Sequence, residues 1–339
     1  MTAVDQRQVQ RTVRRPSRLF RNLTSKTASL PMIFTVLVIF VGCTLWTVVY
    51  SFTKSKLLPV ELFTYAPLFA IPVPTWLAED GAVNMSIISG LEWKNFVGFD
   101  QYTRLWGTNR WVVSIWNLLT FGVCSMIFSL TIGFFLAAMM DRKIRFENTF
   151  RTIILYPFAL SFIVTGLVWQ WILNPDYGVQ KFVRDLGWET FVFNPLYDEK
   201  WVVYGILIAG LWQGTGLVMC LMLAGIRGID EDIWKASRVE GIPVWKTYIQ
   251  IVIPMMRPVF VTSIVIIGAG IVKVYDLVVA QTSGGPGVAS QMPALYVMDK
   301  MFKDQNLAQG FAASTMMLLA VATILIPWAY FEFGSKKRG

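Results

Sequence analysis

The sequence predicts an all-α polytopic membrane protein with six transmembrane helices, and three observations carry that expectation. Of 339 residues, 55% are hydrophobic and mean hydropathy is +0.53, beyond what a soluble domain of this length carries. The apolar residues gather into six stretches, each long enough at 1.5 Å per helical residue to cross a bilayer core of about 30 Å. Lysine and arginine fall unevenly between those stretches. With both termini on the cytoplasmic side, the inside segments hold 19 and the outside segments 10, Lys273 being left within a span. The inverted orientation would contradict the positive-inside rule.

Residues 1–30 carry seven Lys/Arg against one Asp and read as a basic cytoplasmic tail. A targeting presequence is the rival reading, but the following apolar run is too long for a signal-peptide core and lacks a small-residue cleavage site. The first span is expected over 31–53 and an extracytoplasmic lobe over 54–113. Pro67, Pro72 and Pro74 argue against a continuous helix in the apolar patch Leu62–Leu77. The second span, 114–140, places Ser125, Ser129, Gly133 and Ala137 four residues apart, a ridge that lets another helix approach closely. A basic inside loop follows (Arg142, Lys143, Arg145, Arg151).

Span three, 152–173, is expected to kink at Tyr156-Pro157, and Asn174-Pro-Asp-Tyr-Gly178 opens an outside turn. Span four, 202–224, carries Gly205, Gly210, Gly214 and Gly216 around Trp212-Gln213. After the long inside loop 227–257 comes span five, 258–280, with the turn Thr282-Ser-Gly-Gly-Pro-Gly287 beyond it. Span six, 313–333, precedes a basic cytoplasmic tail, 334–339. Spans two to six form one core, 114–333.

Several chemistries are excluded. There is no histidine, which removes most metal-site and acid/base chemistry. Cys43, Cys124 and Cys220 each lie in an apolar segment and read as buried hydrophobes. No nucleotide-binding loop of the G-x-x-x-x-G-K-[ST] type is present. ATP-driven work would need a separate ATPase chain, and neither a cofactor nor a nucleic-acid partner is expected.

The chain is organised around the loop Ile229–Pro254. Asp230, Glu231 and Asp232 place acceptors and negative charge at a helix start, and Lys235 and Arg238 lie toward its end. Gly241 supplies a stop and Pro243 can open a second short helix. Two charges, Lys273 and Asp276, fall well inside span five, three residues apart and so on one face of a continuous helix. Either they pair and fix packing, or they line water and face a substrate; both readings stay open.

Lys235-Ala-Ser-Arg-Val-Glu-Gly241, followed by Pro254 and Pro258, resembles the E-A-A-x-x-D-G loop of inner-membrane permease subunits of binding-protein-dependent ABC importers. Lys235 stands where the family has Glu and Ser237 where it has Ala. Val274-Tyr-Asp-Leu277 with Thr282-Ser-Gly-Gly-Pro286 is similar to the V-F-D-L-x-x-x-x-T-x-G-G-P run of the carbohydrate branch, which includes the maltose permease. Phe96-Val-Gly-Phe-Asp-Gln-Tyr102 resembles a segment before the second span of sugar permeases, and Ile233–Pro243 and Tyr275–Gln281 look most like permeases for alpha-glucosides.

The resemblance implies the type I ABC importer permease fold and a non-enzymatic transport subunit of the bacterial inner membrane. Its partners would be a second permease chain, two cytoplasmic ATPase subunits and an extracytoplasmic sugar-binding protein. Trp234, Lys235, Ala236, Ser237, Glu240, Gly241 and Trp245 would meet the ATPase, the tryptophans as anchors. Phe158, Phe162, Gln213, Gly214, Leu217, Ile271 and Val274 would face the sugar by local alignment. Lys273, Tyr275 and Asp276 add groups that bind hydroxyls. Two rivals are a secondary transporter using Lys273 and Asp276 as its coupling pair, against which the lack of a visible internal repeat counts, and a membrane scaffold.

Overall fold

The computed structural model describes residues 31–32, 34–54, 63–65, 72–74, 96–142 and 145–335, and these are helical almost throughout. The basic tail 1–30 lies outside the described residues, as do residues 336–339 of the second tail and most of the lobe over 54–95. The chain divides into a unit ending at Val49 and a second running from Tyr50.

In the first unit a π-helical turn, Val36–Val41, runs into α1 (Gly42–Tyr50). Thr35 and Thr47 donate their hydroxyls to the carbonyls of Pro31 and Cys43, so these polar groups are satisfied within the segment, as a lipid environment requires.

In the Pro-rich stretch of the second unit β1 (Phe63–Tyr65) pairs antiparallel with β2 (Pro72–Pro74), Thr64 opposite Val73. A helix there is ruled out by the prolines, as expected. A clamp then seats the helical part. The Phe52 ring lies 5.3 Å from Phe99 and 5.5 Å from Tyr102, the Ser51 and Tyr102 hydroxyls are 2.6 Å apart, and Gln101 Nε2 donates to the Thr53 carbonyl. This holds α2 (Asp100–Gly107) and leads into α3 (Asn109–Met140). At 32 residues α3 spans about 48 Å, longer than a bilayer core. Its buried face includes Phe121, Ser125, Ser129, Gly133 and Ala137, the small-residue ridge and one turn before it. The ridge packs on α7 (Val202–Arg227), and a Cβ on Gly133 would stand 2.7 Å from Val218 Cγ1.

Spans three and five, expected as single helices, are both broken. α4 (Glu147–Leu155) and the 3-10 turn Tyr156–Ala159 end at Leu160, whose extended backbone turns the chain through 100° into α5 (Phe162–Ile172). The proline tightens the last turn, and the bend itself comes at Leu160–Ser161. α6 (Val179–Asp185) and the 3-10 turn Pro195–Tyr197 connect to α7. Beyond α7 the loop forms α8 (Glu231–Val239), α9 (Val244–Thr247), a π turn Tyr248–Val252 and α10 (Ile253–Met255). α11 (Arg257–Val272) then stops, and α12 (Asp276–Gln281) begins only after Lys273, Val274 and Tyr275. α13 (Pro293–Met298) and a π turn, Asp299–Lys303, lead to α14 (Leu307–Ser335).

The half-helices α5 and α12 support one another. α5 packs on α12 with Gly166 so close that an added Cβ would lie 2.5 Å from Ala280 Cβ, and Gln170 Nε2 donates to the Gln281 carbonyl. The expected turn after α12 carries positive φ at Ser283, Gly284 and Gly287. Asn117 Nδ2 from α3 holds it by donating to the carbonyls of Ala289 and Gln291. Buried Asp299 pairs with both Arg110 and Lys303.

Among the described residues two helices, α3 and α7, are long and apolar enough to cross a membrane, or four spans if each bent pair, 147–172 and 244–272, counts as one.

Candidate functional site

Two hydrophobic cores lie along the α3–α7 pair. One gathers Phe121, Leu173, Val202, Ile206, Ala209, Leu277 and Met292; the other gathers Ala137, Val218, Met219, Met222, Ile226, Val252 and Met256. Between them, where α7 runs from Gly210 to Leu217, there is a cavity of about 440 Å³, within the usual range for small-molecule sites. Three helices each present one stripe to it: Phe121, Ser125 and Ser129 from α3; Gly210, Gly214, Leu217 and Leu221 from α7; Ser263, Ile266, Ile267 and Gly270 from α11.

Both helix breaks open onto this cavity. Phe158 and Phe162 flank the first and are 48% and 51% exposed. Ile271, Lys273, Val274, Tyr275 and Asp276 form the second. Nine of the ten expected substrate-facing residues therefore line one space: Phe158, Phe162, Gly214, Leu217, Ile271, Lys273, Val274, Tyr275 and Asp276.

Gln213 does not line it. It is 2% exposed, and its Nε2 donates at 2.7 Å to the carbonyl of Leu160. The break at Leu160 takes a carbonyl out of the helical ladder, and a buried carbonyl left unpaired is costly. Gln213 is the buttress of the bend. The ion pair considered for Lys273 and Asp276 is also absent among the described residues: the helix stops between them, and both are exposed to the cavity.

Nothing in the sequence singled out Phe121, Ser125, Ser129 or Ser263 as site residues. The two α3 serines read as packing residues, and they do lie on the packing ridge. Only the break in α11 and the glycines of α7 open space in front of them.

The loop 229–254 folds as its residues dictate. Asp230 caps α8, its carboxylate accepting from Asp232 N–H at 3.0 Å, and Lys235 reaches Asp232 at 2.9 Å. At the far end Ile242 N–H bonds to Ser237 O and Gly241 N–H to Arg238 O, the paired bonds of a Schellman stop, with Gly241 at φ +67°. Lys235, Ala236, Glu240, Gly241 and Trp245 are exposed, Trp245 by 61%. Val239 and Val244 add apolar surface beside it. Ser237 is buried, its hydroxyl donating to Trp234 O.

Trp234 faces inward rather than out. Its ring lies 5.4 Å from Tyr248, Tyr248 is 6.2 Å from Phe134 of α3, and Phe134 is 5.8 Å from Phe260 of α11. A column of aromatic rings thus runs from the loop to two helices that line the cavity. At the root of the loop Arg227 pairs with Glu147 at 2.7 Å and donates to the Met140 carbonyl. Burial raises the Asp141 carboxyl above its ordinary value, with Arg227 working against that shift and Glu147 adding to it. Arg227 thereby ties the end of α7 to the end of α3 and the start of α4.

Residues 129–336 match the family of binding-protein-dependent transport system inner membrane components. The chain belongs to this family. A probable ABC transporter permease protein of Pyrococcus horikoshii is 33% identical over 258 residues, covering 74% of this chain and 88% of that protein. The xylose/arabinose import permease protein of Haloferax volcanii is 27% identical, covering 78% of this chain and 84% of that one. The trehalose/maltose transport system permease protein of Thermococcus litoralis is 24% identical, with 72% and 82% covered. Among solved structures, a chain of a bacterial ABC transporter involved in the import of alginate matches at a TM-score of 0.70 and 17% identity over 91% of this chain and 94% of that one, a likeness of fold. As a permease subunit this chain leaves ATP hydrolysis to separate subunits.

Proposed function

We propose that this permease subunit forms half of the translocation path of an ATP-driven sugar importer, with substrate held in the cavity between the two cores. The observation that carries the reading is the position of that cavity. It opens at two helix breaks, and the aromatic column Trp234–Tyr248–Phe134–Phe260 joins its walls to the exposed loop at residues 229–254. Force applied to the loop therefore reaches the site through packed rings.

The lining suits a sugar: Phe158, Phe162 and Tyr275 offer faces to C–H surfaces, while Lys273 and Asp276 offer charged partners to hydroxyls. Relatives named for xylose/arabinose and trehalose/maltose support the class, and the alpha-glucoside wording of the loop favours a glucoside. In this reading six helices span the membrane with both ends inside. A second permease chain completes the path, two ATPase copies drive the pair, one of them gripping Trp245, Val239 and Val244 of this chain, and an external binding protein delivers the sugar.

The test is to purify the complex, reconstitute it in proteoliposomes and measure sugar-stimulated ATP hydrolysis and uptake. Gly241→Val has open space around it, so its only cost is the left-handed backbone, roughly 1–2 kcal/mol. It should insert but lose stimulated hydrolysis, as should Trp245→Ala. Uptake without ATPase subunits, or full coupling in both variants, would overturn the proposal.

A further inference from the structure

We infer that the cavity takes a glycoside with an apolar aglycone, the sugar ring seated at the break between α11 and α12 and an aryl or alkyl group lying along Leu217, Leu221, Ile266 and Ile267. This rests on the sugar reading above and names the substrate class within it.

The polarity of the cavity is gathered at the break. Lys273, Tyr275 and Asp276 line it there, and because α11 stops before Lys273 and α12 starts only at Asp276, the ammonium and the carboxylate both stay exposed. These groups give one sugar ring donors and acceptors for its hydroxyls.

Away from the break the walls turn apolar. On α7 Gly210 lies against Leu277 of α12, and Leu217 and Leu221 follow on the cavity side. On α11 Ile266 stands seven residues before Lys273, about 10 Å along the axis, and Ile267 packs with the core around Val218. Ile266 is 43% exposed and lines the cavity, so apolar surface is presented there to whatever enters.

Three serines line the same stretch, yet they have little to offer a ligand. Ser263 has its Oγ wholly buried, and Ser125 and Ser129 are 8% and 3% exposed, on the face of α3 that packs on α7. A second sugar ring would bring hydroxyls to a wall with almost nothing to bond them, each losing its hydrogen bonds to water without return. An apolar group there gains instead, in proportion to the area it removes from water. At about 440 Å³ the cavity has room for both parts.

The experiment measures ATP-dependent uptake by the whole complex in proteoliposomes, with methyl α-glucoside, phenyl α-glucoside and maltose. Wild type should take phenyl α-glucoside with a kcat/KM at least about ten-fold above that for methyl α-glucoside, and above that for maltose. Ile266→Ser and Leu221→Ser put a hydroxyl into the apolar stretch and should each cut the phenyl-to-methyl ratio about five-fold. Ile266 is exposed, so its variant should fold, and a ratio taken within one variant does not depend on how much protein folds. The binding protein and the second permease chain are common to all variants, so a change in the ratio belongs to this wall. Val261→Ser, exposed on α11 but outside the cavity lining, should keep the wild-type ratio. A second readout is chemical: with Cys43, Cys124 and Cys220 replaced, the thiol introduced by Ile266→Cys should be shielded from a thiol reagent by phenyl α-glucoside and not by methyl α-glucoside at the same concentration. A wild-type ratio near one, maltose preferred to phenyl α-glucoside, a ratio unmoved by both serine variants, or absence of shielding would overturn the aglycone site. A wild type that takes up none of the three sugars would instead overturn the sugar reading.

Discussion

The two helix breaks differ in how they are held. At Leu160 the chain turns through 100°, yet the freed carbonyl is taken by Gln213 from a neighbouring helix, and Gly216 lets the Ile154 backbone come so near that an added Cβ would lie 2.3 Å from its oxygen. At Lys273–Tyr275 the helix stops and restarts, and Lys273 and Asp276 face the cavity rather than each other. The first break is locked by a side chain and a backbone contact from α7. The second is supported from outside, through α12 on α5, and its inner edge is left open to whatever fills the cavity.

The most severe way to break the comparison is to fill the close approaches. Gly216→Leu and Gly166→Leu should each cost roughly 3 kcal/mol or more, since backbone and Ala280 cannot move aside. Expression and thermal midpoint of the purified complex measure this, and wild-type values would mean that the packing around the bends is loose.

Removing the buttress comes next. Gln213→Leu leaves the Leu160 carbonyl unpaired at a cost of roughly 1–3 kcal/mol, and the midpoint should fall accordingly. A Gln213→Leu protein as stable as wild type would remove the distinction between the two breaks.

A smaller effect on stability, and a larger one on work, is expected along the aromatic column. Tyr248→Ala should reduce stimulated ATP hydrolysis while the ATPase still co-purifies, because Trp245 remains outside to be gripped. Intact stimulation would show that force reaches the cavity by another route.

The smallest stability effect is expected at the second break. Lys273→Met should change folding by less than about 0.5 kcal/mol, as replacement of an exposed unpaired side chain does. Breaking a buried ion pair would have cost roughly 3–5 kcal/mol. A loss of that size would show that Lys273 is paired after all. Uptake kinetics of the same variant then report whether the ammonium meets substrate.

How much of this could be read beforehand varies with the kind of feature. The loop 229–254 was legible nearly residue by residue: Asp230 as cap, Gly241 as stop and Pro243 before the second turn are signals that act within four or five residues. The ridge Ser125–Ala137 was legible as a packing face because helical period alone places those residues together. The breaks at Leu160 and Lys273 were not. Pro157 marks a kink in span three, yet the bend falls three residues on, at Leu160–Ser161, and nothing local marks a stop at Lys273 in span five. Gln213 was assigned to the site by local alignment and because its amide can bind hydroxyls. Its partner lies 53 positions away in sequence, and no local pattern reports that.

By itself the sequence determined the helical class, the apolar stretches and the loop's caps and stop, since hydropathy, periodicity and capping are properties of neighbouring residues. Only the tertiary structure decided where spans three and five break, which side chain closes the first break, and that Ser125 and Ser129 line a cavity. Those outcomes depend on which helix supplies a donor or leaves a gap, and that is settled when the helices pack.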